Sequence, residues 1–299
     1  MGRFGVPLFL MISGYLSLGR TYDEESARRF WRGNCLKLFL CAEIWIVIYE
    51  IINAAAGNRQ FSPYHLIRQM LFLENSSMNH IWYIPMILGM CLLLPLAANA
   101  AHSPIAAKLR PVLLIFTAYA FAVATVEAVI LAFGGDRFSS LFSMGFSGGM
   151  YGIYMIAGLA VKNGWLKRLR TTAVAVAAAV SYLLTVYMQI FSYERGVPYN
   201  VWYSSLTLLC SSVCLFELFS RIKRVPCYGA VRTISHYSFA IFLIHNIFIT
   251  LLYPHVSDLA LITPLKACIL LAAALSLSLI SSAVIARIPK AGRFMLYLK

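Results

Sequence analysis

Nine apolar runs, at 4–18, 36–56, 80–98, 111–133, 145–161, 172–191, 199–219, 237–253 and 262–285, leave this chain little choice of surroundings. A helix rising 1.5 Å per residue needs about 17–25 residues to cross roughly 30 Å of hydrocarbon, and most of the runs are that long. Strand-like alternation is absent, whereas a membrane barrel requires it, so the runs predict helices. The expected fold is an all-α, polytopic integral membrane bundle. Composition agrees: 61% of the 299 residues are hydrophobic and 12% charged, against roughly 45–50% and about 25% in soluble domains. That balance excludes a soluble globule, a disordered chain and a small disulfide scaffold.

The 25 Lys and Arg against 11 Asp and Glu give a net charge of +14, which in a soluble protein would suggest nucleic acid. Here the basic residues gather in short loops between apolar runs, as membrane topology demands, and no nucleic-acid partner is expected. When alternate loops are assigned to opposite sides, one set holds 19 Lys and Arg and the other 6. The richer set includes Arg20, Arg29, Arg32, Lys37, Arg110, Lys162, Arg221 and Arg293. The positive-inside rule then puts the C-terminus in the cytoplasm and, with nine spans, the N-terminus outside. The first run, 15 residues long, would enter from the outer face with no preceding segment to carry it there. The expectation is a missing first helix and a ten-helix parent.

No linker divides the chain, so residues 1–299 are read as one domain. The longest polar stretch, 57–79, contains an amphipathic piece from Tyr64 to Leu73, expected along the outer interface. Seven cysteines, at 35, 41, 91, 210, 214, 227 and 268, include no C-x-x-C pair. They read as small buried hydrophobes, with no zinc or disulfide signal, and no metal site is expected.

Polar residues inside the runs are the candidates for chemistry. On the first run, Ser13 and Gly14 form a small notch beyond Pro7, read either as a channel position or as a packing notch for another helix. Before the second lies Arg28-Arg29-Phe30-Trp31-Arg32. In a helix Arg29 and Arg32, at i and i+3, share a face suited to a phosphate-rich ligand, although an ordinary positive-inside cluster would look the same. The third run opens with His80, Trp82 and Tyr83. Two of these are expected interfacial aromatics, whereas His80 can orient a hydroxyl or shuttle a proton, or simply be solvated. The eighth opens at Tyr237 and Ser238 and carries His245 eight residues further in, roughly 12 Å at 1.5 Å per residue. An ionisable group at that depth marks a functional site by default, with a satisfied core histidine as the alternative. Glu43, Glu50, Glu127 and Glu217 also fall inside runs, as interhelical hydrogen-bonding groups or a proton relay.

Taken in order, V-P-L-F-L-M-I-S-G-Y-L, R-R-F-W-R, H-I-W-Y-I-P with a downstream L-L-L-P, and Y-S-F-A-I-F-L-I-H resemble the membrane acyltransferase-3 family, over about residues 4–250. The same membrane module forms the N-terminal part of vancomycin-resistance-type membrane serine racemases. The resemblance implies a ten-helix bacterial inner-membrane protein. It would move an acyl group, usually acetyl, from cytoplasmic acyl-CoA to a hydroxyl of an envelope or surface glycan. It implies that Arg29 and Arg32 serve the acyl-CoA end and that His80, Trp82, Tyr83 and His245 line or support the site; from the residues themselves, His80 and His245 are the catalytic candidates, Ser13 and His245 are expected to line a channel, and Tyr237 and Ser238 to continue its polar track toward the cytoplasm. Acyl-CoA enters as co-substrate, with no permanently bound cofactor, and membrane lipid and glycan are the partners. The family's principal histidine sits on a first helix, after an arginine, and this chain offers no position for either. The sequence therefore predicts an O-acyltransferase lacking that histidine as written. A glycan or metabolite carrier with carboxylates relaying protons, and a non-catalytic membrane module, stand as alternatives.

Overall fold

A computed structural model of the chain describes residues 3–57, 60–74, 76, 79–108, 110–136, 149–196, 202–289 and 291–298. Arg59, Arg137, Lys290 and Lys299 of the loop count, and the starts of the fifth and seventh runs at 145–148 and 199–201, lie outside the described residues. Each of the nine runs carries a helix, and no strand occurs among the described residues. Among the described residues, five helices are long and apolar enough to cross a membrane: His80–His102, Arg110–Ala132, Thr171–Glu194, Tyr228–Ser257 and Thr263–Ile285. Gly5–Ser17, Met150–Lys162 and Leu206–Ser220 are shorter apolar helices. The chain is a multi-pass helical membrane protein. Its contacts group into two compact units, Met1–Ala27 with Leu93–Lys223, and Arg28–Leu92 with Arg224–Lys299.

The first unit is built on a seam between α1 (Gly5–Ser17) and α8 (Met150–Lys162). Glycine makes the seam possible. A Cβ on Gly14 would stand 1.9 Å from the Met155 carbonyl oxygen, and one on Gly158 would stand 2.0 Å from that of Met11. The two backbones therefore touch, the arrangement small residues permit where lipid supplies no hydrophobic drive. Beside the seam, α9 (Thr171–Glu194) packs along α10 (Leu206–Ser220). Glu217, fully buried on α10, accepts from Arg221 Nε at 2.8 Å. The same guanidinium donates to the Leu166 and Leu169 carbonyls at 2.7 and 2.9 Å. The arginine thus neutralises a buried carboxylate and ties two loops together.

In the second unit a helix is entered from α2 (Glu24–Phe30) through one π-helical turn, Trp31–Cys35, and continues as α3 (Leu36–Ala55). Trp31 Nε1 donates to the Leu92 carbonyl at 3.1 Å, holding the turn against α5 (Tyr83–His102). The amphipathic piece forms α4 (Pro63–Met70), started by Ser62 as N-cap and Pro63 in the first turn. Its faces are inverted for a water-facing helix: Tyr64, Ile67 and Leu71 are exposed while Gln69 is buried, donating to Glu50 Oε1 at 2.9 Å. α11 (Tyr228–Ser257) packs along α12 (Thr263–Ile285), and the chain then returns through the short α13 (Ala291–Met295) to α3. There the Met295 carbonyl accepts from Trp45 Nε1 at 2.8 Å, and Leu296 is fully buried. The expectation of buried cysteines holds for Cys35 and Cys41 but not for Cys210, Cys227 and Cys268, which are exposed: a thiol inside an apolar run can face outward from its helix as readily as inward.

Loop pairings within the units follow the alternation of charge. Tyr22 and Asn99 exchange hydrogen bonds of 2.8 and 2.6 Å. Arg221 reaches the loop at 166–169, and Tyr297 Oη donates to the Asn34 carbonyl at 3.3 Å. All these loops belong to the lysine- and arginine-rich set. On the poorer set, Arg3 lies 4.9 Å over the Trp202 ring.

Three substitutions test the packing, Gly158 and Arg221 in the first unit and Gly89 in the second. Gly158→Leu must push the Met11 backbone away, so thermal unfolding in detergent should occur at a clearly lower temperature. Gly89→Ala, where a Cβ meets nothing within 4 Å, should be neutral or stabilising by up to about 1 kcal/mol. Arg221→Met strands the Glu217 carboxylate and should cost about 3–5 kcal/mol. Adding Glu217→Gln to that variant should recover part of the loss.

Candidate functional site

The two histidines singled out in the sequence meet. His80, in the 3-10 turn Asn79–Trp82 that opens into α5, and His245, on α11, have ring centroids 5.1 Å apart at 69°. Three aromatic residues surround the pair. Tyr49 of α3 lies 5.7 Å from the His80 ring, Phe242 lies 5.3 Å from it, and Tyr83 packs on Phe242 at 5.5 Å. Edge-to-face geometry of this kind favours such ring pairs beyond simple burial. Tyr49 is itself fully buried, and its hydroxyl donates to the Leu243 carbonyl. The site thus joins α3, the start of α5 and the middle of α11, all within the second unit.

Hydrogen bonding gives the two imidazoles different roles. His245 Nδ1 lies 2.8 Å from the Phe242 carbonyl and 3.1 Å from that of Ile241. Carbonyls only accept, so Nδ1 carries the proton in the neutral ring, and Nε2 is left with its lone pair. Both ring nitrogens of His80 are shielded from solvent and make no well-formed hydrogen bond among the described residues; the Leu243 backbone, whose carbonyl already accepts from Tyr49, acts on the ring. Such groups are rarely left so without a reason. A neutral imidazole there has one N–H to give and one lone pair to receive with.

The remaining candidates are placed as follows. Tyr83 is buried against Phe242. Ser238 precedes His245 by seven residues, two helical turns, which puts both on one face of α11 about 10 Å apart. Tyr237 is half-buried beside them, and its ring meets that of His236 at 4.8 Å. The helix itself begins nine residues earlier than the apolar run, at Tyr228, but residues 228–236 are exposed and burial starts at Tyr237. Hydropathy therefore located the buried length, not the hydrogen-bonded length.

Arg29 and Arg32 are both exposed, one on α2 and one in the π-helical turn, so the wider turn replaces the simple i, i+3 ridge. Tyr49 stands 17 residues beyond Arg32 on the same continuous helix, roughly 25 Å of rise. The basic end and the histidine pair are thus separated by much of a bilayer's hydrocarbon thickness. Ser13 belongs to the other unit, where its hydroxyl donates to the Phe9 carbonyl at 2.9 Å, and its neighbour Gly14 forms the packing seam.

The four carboxylates are divided between the units. Glu50 is held by Gln69 and Glu217 by Arg221, which makes both of them ties between elements. Glu43 is buried on α3 with neither carboxylate oxygen hydrogen-bonded among the described residues. Tyr49 is the participant the sequence reading missed. The available signal was a phenol inside an apolar helix, one of several such tyrosines in the chain.

No curated protein and no solved structure matches this chain. A family model described as an acyltransferase domain matches residues 1–283. That span includes every histidine and arginine of the candidate site and stops short of α13. The order of motifs, the all-helical membrane architecture and this match agree, and the chain belongs to the acyltransferase-3 family of membrane acyltransferases.

Proposed function

We propose that this protein is an O-acyltransferase of a bacterial inner membrane, moving an acyl group, acetyl foremost, from acyl-CoA to a hydroxyl of an envelope or surface glycan. The observation that carries the reading is the His80–His245 pair, with His245 Nε2 free to accept a proton. The charge distribution supports a cytoplasmic C-terminus and a donor entering at the end that bears Arg29 and Arg32. Planar guanidinium forks suit phosphate oxygens. Tyr83, Tyr237 and Ser238 are assigned to the lining between that end and the histidines; Ser13, in the first unit, is kept as a separate channel candidate.

In the reaction, His245 Nε2 takes the proton of the acceptor hydroxyl as its oxygen attacks the thioester carbonyl. The His80 N–H is available to donate to the developing oxyanion. The tetrahedral adduct collapses by breaking the C–S bond, CoA leaves as thiolate, and the proton held on His245 passes to that sulfur. Ester and free thiol are the products, and the histidine is regenerated. The backbone bonds at Nδ1 fix the tautomer this requires and stabilise the imidazolium while the proton is held.

Purified protein incubated with labelled acetyl-CoA and envelope glycan should place label on the glycan with release of CoA. Glycan movement without CoA release would instead establish a carrier, and neither outcome a non-catalytic module. His245→Gln should lower kcat by about 10²–10⁴-fold, the usual worth of a positioned base, with the unfolding temperature little changed. Arg29→Ala with Arg32→Ala should raise the KM for acyl-CoA and leave the KM for glycan and the helical content as they were.

A further inference from the structure

Three successive backbone carbonyls of α11 serve the histidine site, and they are shared unequally. Those of Ile241 and Phe242 lie 3.1 and 2.8 Å from His245 Nδ1. The third, that of Leu243, accepts from the Tyr49 hydroxyl, which comes from α3. A carbonyl oxygen has two lone pairs. Inside α11 one of them receives the N–H of Ile247, four residues on. The Tyr49 hydroxyl fills the other.

That hydroxyl is held firmly in place. Tyr49 is fully buried, and its ring lies 5.7 Å from that of Trp45, whose own Nε1 is tied to the Met295 carbonyl. On its other side the Tyr49 ring meets His80 edge to face, and Phe242 and His245 enclose the same imidazole at 5.3 and 5.1 Å. The Leu243 backbone acts on the His80 ring, yet neither ring nitrogen completes a hydrogen bond among the described residues. A buried N–H beside a backbone carbonyl is ordinarily bonded to it. Here the acceptor is already full, and the group that fills it comes from a different helix. A phenol buried only for its bulk needs some acceptor; this one takes the carbonyl that His80 would otherwise use.

We propose that Tyr49 is a positioning residue: by occupying the Leu243 carbonyl it withholds that acceptor from His80, so that the His80 N–H stays unbonded and available to a substrate oxygen. The chemical consequence rests on the transferase reading above, in which His80 donates to the oxyanion; the hydrogen-bond assignment stands apart from it. The division of carbonyls gives each histidine its part. Two backbone acceptors hold the proton of His245 on Nδ1 and leave Nε2 as the base. His80 is denied an acceptor and is thereby kept as a donor. A donor set in place before the reaction is worth most where water is excluded. Phenylalanine at position 49 would preserve the ring packing and free the Leu243 carbonyl to capture the His80 N–H.

The test is Tyr49→Phe in the full chain in detergent, with isotope-labelled histidine read by nitrogen NMR; His80→Phe identifies the His80 signals among the six histidines. In the unaltered protein the His80 N–H should show no bond to the backbone, whereas the His245 Nδ1–H should show one. In Tyr49→Phe the His80 signal should shift to the hydrogen-bonded position, with the unfolding temperature little changed because His80 takes over the carbonyl. Its kcat should fall by about 10²-fold, the lower end of what losing one oxyanion donor costs, with both KM values unchanged. In a His80→Phe background the same substitution should cost nothing further, whereas a merely structural tyrosine would lower activity equally in both backgrounds. A His80 N–H already bonded to the backbone in the unaltered protein overturns the inference. So does an unmoved His80 signal in Tyr49→Phe, or an equal loss of activity in the two backgrounds. If the unaltered protein transfers no acyl group, the transferase reading falls, and the His80 signal alone decides whether Tyr49 governs that imidazole.

Discussion

Hydrocarbon offers no partner to a peptide group, so every N–H and C=O in it must be satisfied within the chain. That constraint commits the backbone to helices and leaves reactivity to side chains that project from helical ridges. A site can then be made only where ridges from different helices meet. In the second unit, Tyr49, His80 and His245 come from three separate helical elements and meet at ring-to-ring distances of 5–6 Å. The backbone still takes part: the Phe242 and Ile241 carbonyls already serve helical bonds, yet each also lies within reach of His245 Nδ1.

Much of the fold was legible because hydropathy and the cost of lipid exposure are the same quantity read in two ways. All nine runs carry helices, and pairings such as Tyr22 with Asn99 or Tyr297 with Asn34 join loops that the charge pattern had already grouped. Helix ends were less legible. Tyr228–His236 is helical but exposed, and no solvent-transfer argument can see a helix that continues past the apolar boundary. The π-helical turns at Trp31–Cys35 and Ala118–Val123 were invisible for a related reason, since one extra residue per turn leaves composition unchanged.

The site was legible in its costly residues and hidden in its inexpensive ones. A histidine eight residues into an apolar run announces itself, because few arrangements tolerate it. That His80 would be its neighbour followed from no spacing rule, since 165 positions separate them and only the bundle brings them together. Tyr49 and Phe242 looked like ordinary apolar bulk.

The seam between α1 and α8 bears on how such a protein can move. Backbones already in van der Waals contact at Gly14 and Gly158 cannot close further, and sliding them would drive carbonyl oxygens into one another. Any shift of α1 against α8 therefore has to begin by parting the two backbones at Gly14 and Gly158, which makes the seam the part of the first unit with least room to move.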